Sequence, residues 1–402
     1  MSAWAHRSAV AAFLRRPGDR RAGRGAGAAG CEHAGWCVAR WCRGLAMLGV
    51  LAVCSGCTSL SSLSYYTQSV GGHLEVLRAA RPIDDWLGDA GTPAALKARL
   101  VQVRTIREFA VRELGLPDNA SYRSYADLGR PFVVWNVTAA PRFSLKLMQW
   151  CFPVAGCVDY RGYYDRAAAE EYARTLRAEG WDVQVGGVRA YSTLGWTADP
   201  VLSTFIDLPE VEIARLIFHE LSHQLLYVPG DSTFNESFAT AFEEEGVRRW
   251  LKQRADPAMD AAWRRYRQRR TAFLELVQEA RQHLAALYAS NLPAERMAEG
   301  KAGIMRKLRA DHAAARADPG SGLYGFTGYD RFFQGDLNNA ALAALATYTQ
   351  MQPAFAKLLQ DRNFDLGEFV RLARGLAGLP HAERRQRLAA WVRESSDAAA
   401  AN

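Results

Sequence analysis

The sequence predicts a mainly helical α+β protein in which a small sheet precedes a pair of buried helices. Most segments after residue 209 have apolar residues at helical spacing, whereas two segments between residues 130 and 200 have the composition of strands. At 402 residues the chain is long enough to bury a substantial core. Hydrophobic residues make up 49% of it, which fits a globular protein and excludes a disordered one.

The first half of the predicted fold combines helices with the small sheet. Residues 66–115 have apolar residues at helical spacing and predict a pair of helices. Residues 131–137 and 182–191 predict two strands, because both are rich in β-branched and aromatic residues. A helix over residues 165–179 separates the two strands.

The second half is predicted to be almost wholly helical. Two helices are expected over residues 212–226 and 234–252. Two long charged segments at 257–290 and 293–317 predict a helical hairpin. Further helices, the first of them over residues 338–349, complete the chain.

Two groups of polar residues in this half have simple structural interpretations. The basic residues between 248 and 282, among them Arg264 and Arg265, lie at helical spacing among acidic residues. We interpret them as a solvated helix face, and phosphate binding as the weaker alternative. Asn338 and Asn339 are candidates for capping the helix that they precede.

The formal charge of +8 raises nucleic acid and anionic membranes as partners, but the basic residues are concentrated at the N-terminus. Residues 1–57 carry eight arginines against two acidic residues, a net charge of +6, so the remainder of the chain carries +2. The sequence therefore predicts no nucleic-acid partner.

Residues 1–57 have the pattern of an export leader. Arginines precede an apolar run of about ten residues, too short to span a membrane, which ends in Cys54-Ser-Gly-Cys57. This end resembles a bacterial lipobox, which implies that Cys57 is lipidated and becomes the mature N-terminus. Residues 58–64 then form a flexible tether. We expect a lipid-anchored membrane protein of the cell envelope that faces the periplasm.

The leader is long for such a signal. We interpret residues 1–37 as an over-extended gene start, with initiation at Val38. The alternatives are an uncleaved anchor and a disordered cytosolic leader.

Two cysteines, Cys151 and Cys157, lie beyond the leader and flank a Pro/Gly turn. In an oxidising compartment such a pair predicts a disulfide. Metal binding by the pair is the alternative, although no other cysteine follows the leader to complete a thiolate site.

A metal motif lies in the first of the two predicted buried helices. His219, Glu220 and His223 form H-E-x-x-H, and positions i and i+4 of a helix place both imidazoles on one face. Glu220, beside the first ligand, can take a proton from water held by the metal. The alternative is a surface helix with two solvated histidines, but apolar neighbours such as Phe218 and Leu221 indicate burial, where histidines need partners.

The third ligand is predicted in the second of these helices. A catalytic zinc site uses three protein ligands and one open position. No histidine follows His223 until His283, whereas Glu236 opens the next helix thirteen residues after His223. Small residues beside it, Ser237 and Ala239, allow the two helices to approach closely.

The segment from Asn235 to Glu243, with Asn-Glu-x-Phe-Ala and a second Glu seven residues later, resembles the second zinc helix of glutamate-zincins such as aminopeptidase N and thermolysin relatives. This resemblance implies a zincin-like fold and one Zn²⁺ ion bound by His219, His223 and Glu236. It also implies that Glu243, and Thr240 between the two glutamates, lie behind the ligands and orient them.

A closer resemblance covers most of the mature chain. The segments Trp150–Gly162, Ala190–Trp196 and Asn338–Tyr348, together with the zinc motif, resemble a family of exported proteobacterial proteins known as putative or predicted aminopeptidases. The resemblance implies peptide substrates and a single zincin-like peptidase domain over residues 65–395. Its two halves are expected over residues 65–208 and 209–395.

Further roles follow from the resemblance to glutamate-zincins. Residues 186–192 are expected at the edge of the sheet, where backbone groups pair with the substrate, although an ordinary surface hairpin is the alternative. Tyr348 is the candidate for stabilising the oxyanion, with Tyr324 and Tyr329 as alternatives. Acidic residues near the motif that could bind a substrate α-ammonium are Asp231, Glu243 and Glu244.

The predicted function is zinc-dependent hydrolysis of peptides in the cell envelope by an aminopeptidase. The first alternative is a zinc endopeptidase. The others are a non-catalytic, zinc-bearing envelope assembly protein and a metal-free lipoprotein scaffold.

Overall fold

The computed structural model describes residues 60–152, 156–346 and 351–400. These residues are mostly helical with small sheets, which is compatible with the predicted α+β class. The leader with Cys57 lies outside the described residues, as does Tyr348. No helix in the described ranges has both the length and the apolar character needed to cross a membrane.

The N-terminal part contains three helices and a short sheet. The helices are α1 (Leu60–Ala79), α2 (Ile83–Gly88) and α3 (Ala94–Arg112). The strands β1 (Ala80–Pro82), β2 (Ser124–Ala126) and β8 (Val201–Leu202) form a sheet in the order β1-β2-β8. Residues 60–64 of the predicted tether belong to α1, because Tyr65 directly after them is buried against Tyr163 and holds this end of the helix on the protein.

A second sheet lies beside the predicted metal helices. Its strands are β3 (Val134–Ala140), β6 (Arg161–Tyr163) and β7 (Asp182–Val188), in the order β6-β3-β7. The ladder between β3 and β7 is antiparallel and runs from Val134 opposite Val188 to Ala140 opposite Asp182. Helix α4 (Arg166–Ala178) joins β6 to β7 and buries its alanine face on this sheet. Strand β7 is therefore an edge strand within the described residues.

Two buried helices follow the sheets. They are α5 (Glu210–Leu225) and α6 (Ser232–Arg254), and each begins two residues earlier than the sequence predicts. Asp231 caps α6 by accepting a hydrogen bond from the backbone N–H of Phe234. Arg384 and Arg385 of the last helix hold the same carboxylate, so the turn between α5 and α6 is fixed from two sides.

A disulfide-bonded hairpin packs on this turn. Strands β4 (Trp150–Phe152) and β5 (Gly156–Val158) pair with Cys151 opposite Cys157, and a disulfide joins these two cysteines. Gly156 has φ +71°, and a Cβ atom there would lie 2.7 Å from the backbone N of Gly230. Glycine is required because of both the left-handed backbone and the close contact with the turn.

The remaining helices cover the sheet and the metal helices. They are α7 (Pro257–Tyr288), α8 (Ala294–Ala317), α9 (Asp330–Gln334), α10 (Asn339–Ala346), α11 (Gln352–Gln360), α12 (Leu366–Ala377) and α13 (His381–Ala400). The predicted hairpin is α7 and α8. The predicted cap is confirmed at Asn338, whose side-chain oxygen accepts from the N–H of Ala341. Asn339 instead donates to the backbone carbonyls of Pro141 and Arg142 and ties α10 to the end of β3.

Candidate metal centre

Helices α5 and α6 bring the three predicted metal ligands together. Side-chain atoms of His219, His223 and Glu236 that can bind a metal all lie within 4.8 Å of one another, and all three residues are buried. The two histidines are one helical turn apart on α5, and their rings are perpendicular with centroids 4.8 Å apart. Glu236 reaches them from the first turns of α6, as the sequence predicts.

The separations between these donor atoms fit one small cation. The Nε2 atom of His219 lies 3.1 Å from Oε2 of Glu236, and Nε2 of His223 lies 3.6 Å from Oε1 of the same carboxylate. Ligand bonds of roughly 2.0–2.2 Å at tetrahedral angles place donor atoms about 3.4 Å apart. Two imidazole nitrogens and a carboxylate with these separations can therefore share a tetrahedral ion.

A buried ion pair lies behind His219. Oε2 of Glu243 is 2.8 Å from Nδ1 of His219, and the same carboxylate accepts from Nη1 of Arg215 at 3.1 Å. All three side chains are almost fully buried. A carboxylate next to Nδ1 of a histidine favours the tautomer in which Nδ1 carries the proton. The unprotonated Nε2 is then free to bind a metal.

Arg215 was missed by the sequence analysis, which identified Glu243 alone at this position. The sequence does contain a sign of this role. Arg215 lies one turn before His219, and the residues around it, 213–214 and 216–218, are all apolar. A charged side chain on the buried face of a helix requires a partner of opposite charge.

Burial and the carboxylates act in opposite directions on the histidine pKa. Burial disfavours the imidazolium form of His219, but the charges of Glu243 and Glu236 outweigh it and raise the pKa to about 10. Burial alone would raise the pKa of Glu236, but His223 and His219 lower it well below its ordinary value. Likewise Arg215 and His219 lower the pKa of Glu243 against the effect of burial. The two carboxylates therefore favour positive charge on His219, and a cation bound at Nε2 would replace the proton there.

Glu220 is fully buried directly beside His219 in the chain. Tyr122 lies near it, since the charges of Glu220 and Asp199 add to the effect of burial in raising the pKa of Tyr122. The loop that carries Tyr122 is attached to α5 by Gln224, which accepts from the side chain of Asn119 at 2.6 Å. Tyr122 could not be predicted from sequence, because nothing in the local pattern around it connects this loop with the metal helix.

Thr240 lies on α6 between Glu236 and Glu243, where the sequence analysis expected it. Its side chain is buried, and its hydroxyl makes no hydrogen bond within the described residues. It is thus near the site, but the structure gives it no contact with a ligand side chain.

Glu236, but neither His219, His223 nor Glu220, lines a cleft with a volume of about 440 Å³. Glu236 lines it together with residues 186–189 of β7 and its end, Val211 and Glu212 of α5, and aromatic side chains of α7 and the loop before α9. A cleft of this size accommodates a small or extended ligand. The edge strand predicted for substrate binding therefore lies on the same cleft as the ligand Glu236.

The structure separates the predicted candidates for binding an α-ammonium group from the cleft. Asp231 is held by the two arginines of α13, and Glu243 by His219 and Arg215. Glu244 lines a different pocket beside Arg270. Two acidic residues that the sequence analysis did not consider, Asp159 and Glu212, line the cleft instead.

The tyrosines that are candidates for stabilising the oxyanion differ in whether they line the cleft. Tyr329 lines the cleft, stacked on Phe273 at 4.2 Å between ring centroids, and burial raises its pKa to about 12. Tyr324 is 58% exposed and lies away from the cleft lining. The role expected for Tyr348 stays a prediction.

Fold and site together define a mainly helical α+β protein in which a His-Glu-x-x-His helix faces a helix bearing a third, carboxylate donor. A protein-family model described as Putative aminopeptidase matches residues 64–388, and the chain belongs to this family. The match includes both metal helices, the disulfide hairpin and the cleft. None of the curated proteins and none of the solved structures compared with the chain matches it.

Proposed function

We propose that the protein is a zinc-dependent aminopeptidase with a zincin-like fold that removes N-terminal residues from peptides. The observation that carries this proposal is the convergence of His219, His223 and Glu236 beside the buried Glu220, with Glu236 at the wall of a cleft that an edge strand also lines. The family name supports aminopeptidase activity independently of this geometry.

In this proposal the chain's own residues position the reactants and move protons. His219, His223 and Glu236 hold Zn²⁺, with Glu243 and Arg215 fixing the ring of His219. When bound, the ion supplies Lewis acidity that polarises the scissile carbonyl and acidifies water. Glu220 takes a proton from the attacking water and delivers it to the leaving amine. Backbone groups of β7 pair with the extended peptide.

The preference for an N-terminal residue follows from the acidic groups in the cleft. An aminopeptidase must bind a free α-ammonium, and besides the ligand Glu236 the carboxylates in the described lining of the cleft are Glu212 and Asp159. We therefore assign this role to one or both of them. A zinc endopeptidase would use the same metal and base without this requirement.

The cellular location belongs to the proposal as well. The Ser-Gly-Cys end of the leader motivates lipidation at Cys57, and the disulfide between Cys151 and Cys157 suits an oxidising compartment such as the periplasm. Labelling with a radioactive fatty acid tests this directly. Label that enters the wild-type protein and is absent from Cys57→Ser supports the anchor, and equal label in both rejects it.

Peptide hydrolysis by the purified, zinc-loaded protein tests the activity. Peptides with free and with acetylated N-termini are compared, and Glu220→Gln serves as the blank. Cleavage of the free-amine peptides alone supports an aminopeptidase, whereas cleavage of both kinds indicates an endopeptidase. Zinc binding without hydrolysis above the blank would favour the non-catalytic envelope protein.

A further inference from the structure

Three arginines of α7, Arg265, Arg269 and Arg270, line the cleft that contains the metal ligand Glu236, and Arg270 also lines the neighbouring pocket beside Glu243 and Glu244. Arg265 and Arg269 are four residues apart, so they lie on the same side of this helix. Their neighbour Arg264 lines a different pocket, at the start of α7, and pairs with Asp260. The solvated face predicted from sequence describes Arg264 and Arg265, which are both exposed, whereas Arg269 is half-buried at the cleft.

The guanidinium groups of Arg265 and Arg269 are not neutralised by the protein. Within the described ranges, neither Arg265 nor Arg269 forms an ion pair with a carboxylate. Arg269 instead packs on Phe326, with 4.3 Å between its guanidinium carbon and the ring centroid. Stacking on a ring orients the planar group and leaves the N–H donors at its edge available.

The rest of the cleft is largely apolar. Phe273, Phe326, Tyr329 and Phe332 contribute aromatic surface, and the acidic side chains Asp159 and Glu212 lie in the same lining. A cleft with acidic groups, aromatic surface and arginines, one of them stacked on a ring, matches a short peptide that has charged groups of both signs. Arginine is the side chain best suited to bind a carboxylate through two parallel hydrogen bonds.

We propose that Arg265 and Arg269 bind a carboxylate of the substrate, so that the preferred substrates are short peptides carrying a free carboxylate within reach of the cleft. This inference rests on the proposed peptidase function and extends it to the substrate class. The carboxylate is either the C-terminal α-carboxylate or an acidic side chain, since both present the same two oxygens to an arginine.

Three peptides of equal length distinguish these sources. They are a tetrapeptide acid, its C-terminal amide, and a C-terminal amide with one internal aspartate. We expect the wild-type protein to hydrolyse at least one of the carboxylate peptides about tenfold or more faster, in kcat/KM, than the plain amide. The double variant Arg265→Gln/Arg269→Gln should reduce this ratio to near one, whereas Arg264→Gln, on the same helix, should keep it.

Each result has a defined meaning. Preference for the tetrapeptide acid identifies the α-carboxylate, and preference for the internal aspartate identifies a side chain. Equal rates for all three peptides, or a preference that survives in the double variant, overturns the inference while leaving the peptidase function standing. If the glutamine variants do not fold, Arg265→Lys and Arg269→Lys replace them, and these should lower the ratio because lysine lacks the paired donors.

Failure of the proposed function is recognised separately. If no peptide is hydrolysed, binding of the three peptides to zinc-loaded Glu220→Gln protein is measured by calorimetry. Tighter binding of a carboxylate peptide that depends on the two arginines would retain the carboxylate site in a non-catalytic protein. Absence of any binding would reject both the function and the inference.

Discussion

At the scale of single residues, the proposed metal centre has three neighbouring carboxylates in different positions. Glu236 lies against both histidines, Glu243 lies behind His219, and Glu220 is buried beside the cluster. Substitution of each should therefore produce a different defect. Different defects in the three variants would support a catalytic role for the site.

Glu220→Gln should retain zinc but lose at least about a hundredfold in kcat, because general acid–base catalysis contributes roughly 10²–10⁴. Glu236→Ala should lose much of the metal, because it removes one of three ligands. Metal content of the purified proteins and steady-state kinetics check both. Glu210→Gln is the matched control and should behave as wild type. Glu210 lies on α5, as Glu220 does, but pairs with Arg254. Wild-type turnover by Glu220→Gln would reject the mechanism.

Glu243→Gln should affect stability and zinc binding together. It leaves Arg215 buried without its charge partner, which costs about 3–5 kcal/mol of unfolding free energy. It also removes the carboxylate from Nδ1 of His219, which should weaken zinc binding by about 10–100-fold. Urea unfolding of the metal-free protein and zinc titration measure the two effects.

A double variant separates these two effects. Arg215→Met/Glu243→Gln removes the unpaired buried charge, so it should recover most of the stability but not the zinc affinity. Recovery of both properties would show that Glu243 acts only as the partner of Arg215.

The sequence predicted the residues of this site whose pattern is local. H-E-x-x-H depends on the helical repeat, and Glu236 on its place just after the turn. Tyr122 and the cleft residue Asp159 were not predicted, because they reach the site through loops distant in sequence. Contacts of that kind are determined by packing and leave no periodic signal.

At the scale of helices and strands, long elements were predicted better than short ones. The bounds of α5, α6, α7 and α8 lie within about two residues of the predicted helices, since turn residues such as Pro229-Gly230 and Asn291-Leu292-Pro293 mark where they end and begin. The strands β1, β2 and β8 have three residues or fewer and were not predicted. Such segments are too short for an alternating pattern to be recognised, and their pairing depends on partners far away in the chain.

The contact between the disulfide hairpin and the turn joining α5 to α6 gives a prediction at this scale. Gly156→Ala should destabilise the protein by about 2–4 kcal/mol, because it combines a left-handed backbone with a Cβ 2.7 Å from the backbone N of Gly230. Gly115→Ala, at φ +64° with open space around the position, should cost only about 1–2 kcal/mol. Urea unfolding of both variants measures the difference.

Zinc affinity provides the functional measurement for the same pair of variants. Displacement of the turn should weaken zinc binding in Gly156→Ala, because the turn sets the distance between the ligands of α5 and α6. Gly115→Ala should bind zinc as the wild type does. Equal stability losses and equal zinc affinities would show that the hairpin has no influence on the metal helices.

At the scale of the whole molecule, the N-terminal helix is connected to the segment before α5 by buried polar groups. His73 of α1 contacts the hydroxyl of Tyr191 at 2.7 Å and that of Thr197 at 3.3 Å. Asp199 accepts from the side chains of Thr193 and Thr197. Burial lowers the pKa of His73 to about 4 and raises that of Asp199 to about 6. The two groups therefore have opposite effects on stability as the pH falls.

The sign for each group follows from proton binding. Unfolded His73 binds protons below its ordinary pKa of 6.5, whereas the folded protein does so only near pH 4, so acidification between these values destabilises the fold. Asp199 takes up its proton earlier in the folded state, so acidification through about pH 6 stabilises the fold. The wild-type profile is the sum of both effects, and only a comparison of variants isolates His73.

His73→Gln should therefore lose less stability than the wild type on acidification from pH 7 to pH 4.5, by about 2–3 kcal/mol. The measurement is urea unfolding of the metal-free proteins at both pH values, which keeps zinc release out of the comparison. His283→Gln, at an exposed position of α7, should follow the wild type. Since His73 joins α1 to the segment that leads into the metal helix, the same variant should be less stable at pH 7. Parallel profiles for wild type and His73→Gln would show that this histidine is not held neutral by burial.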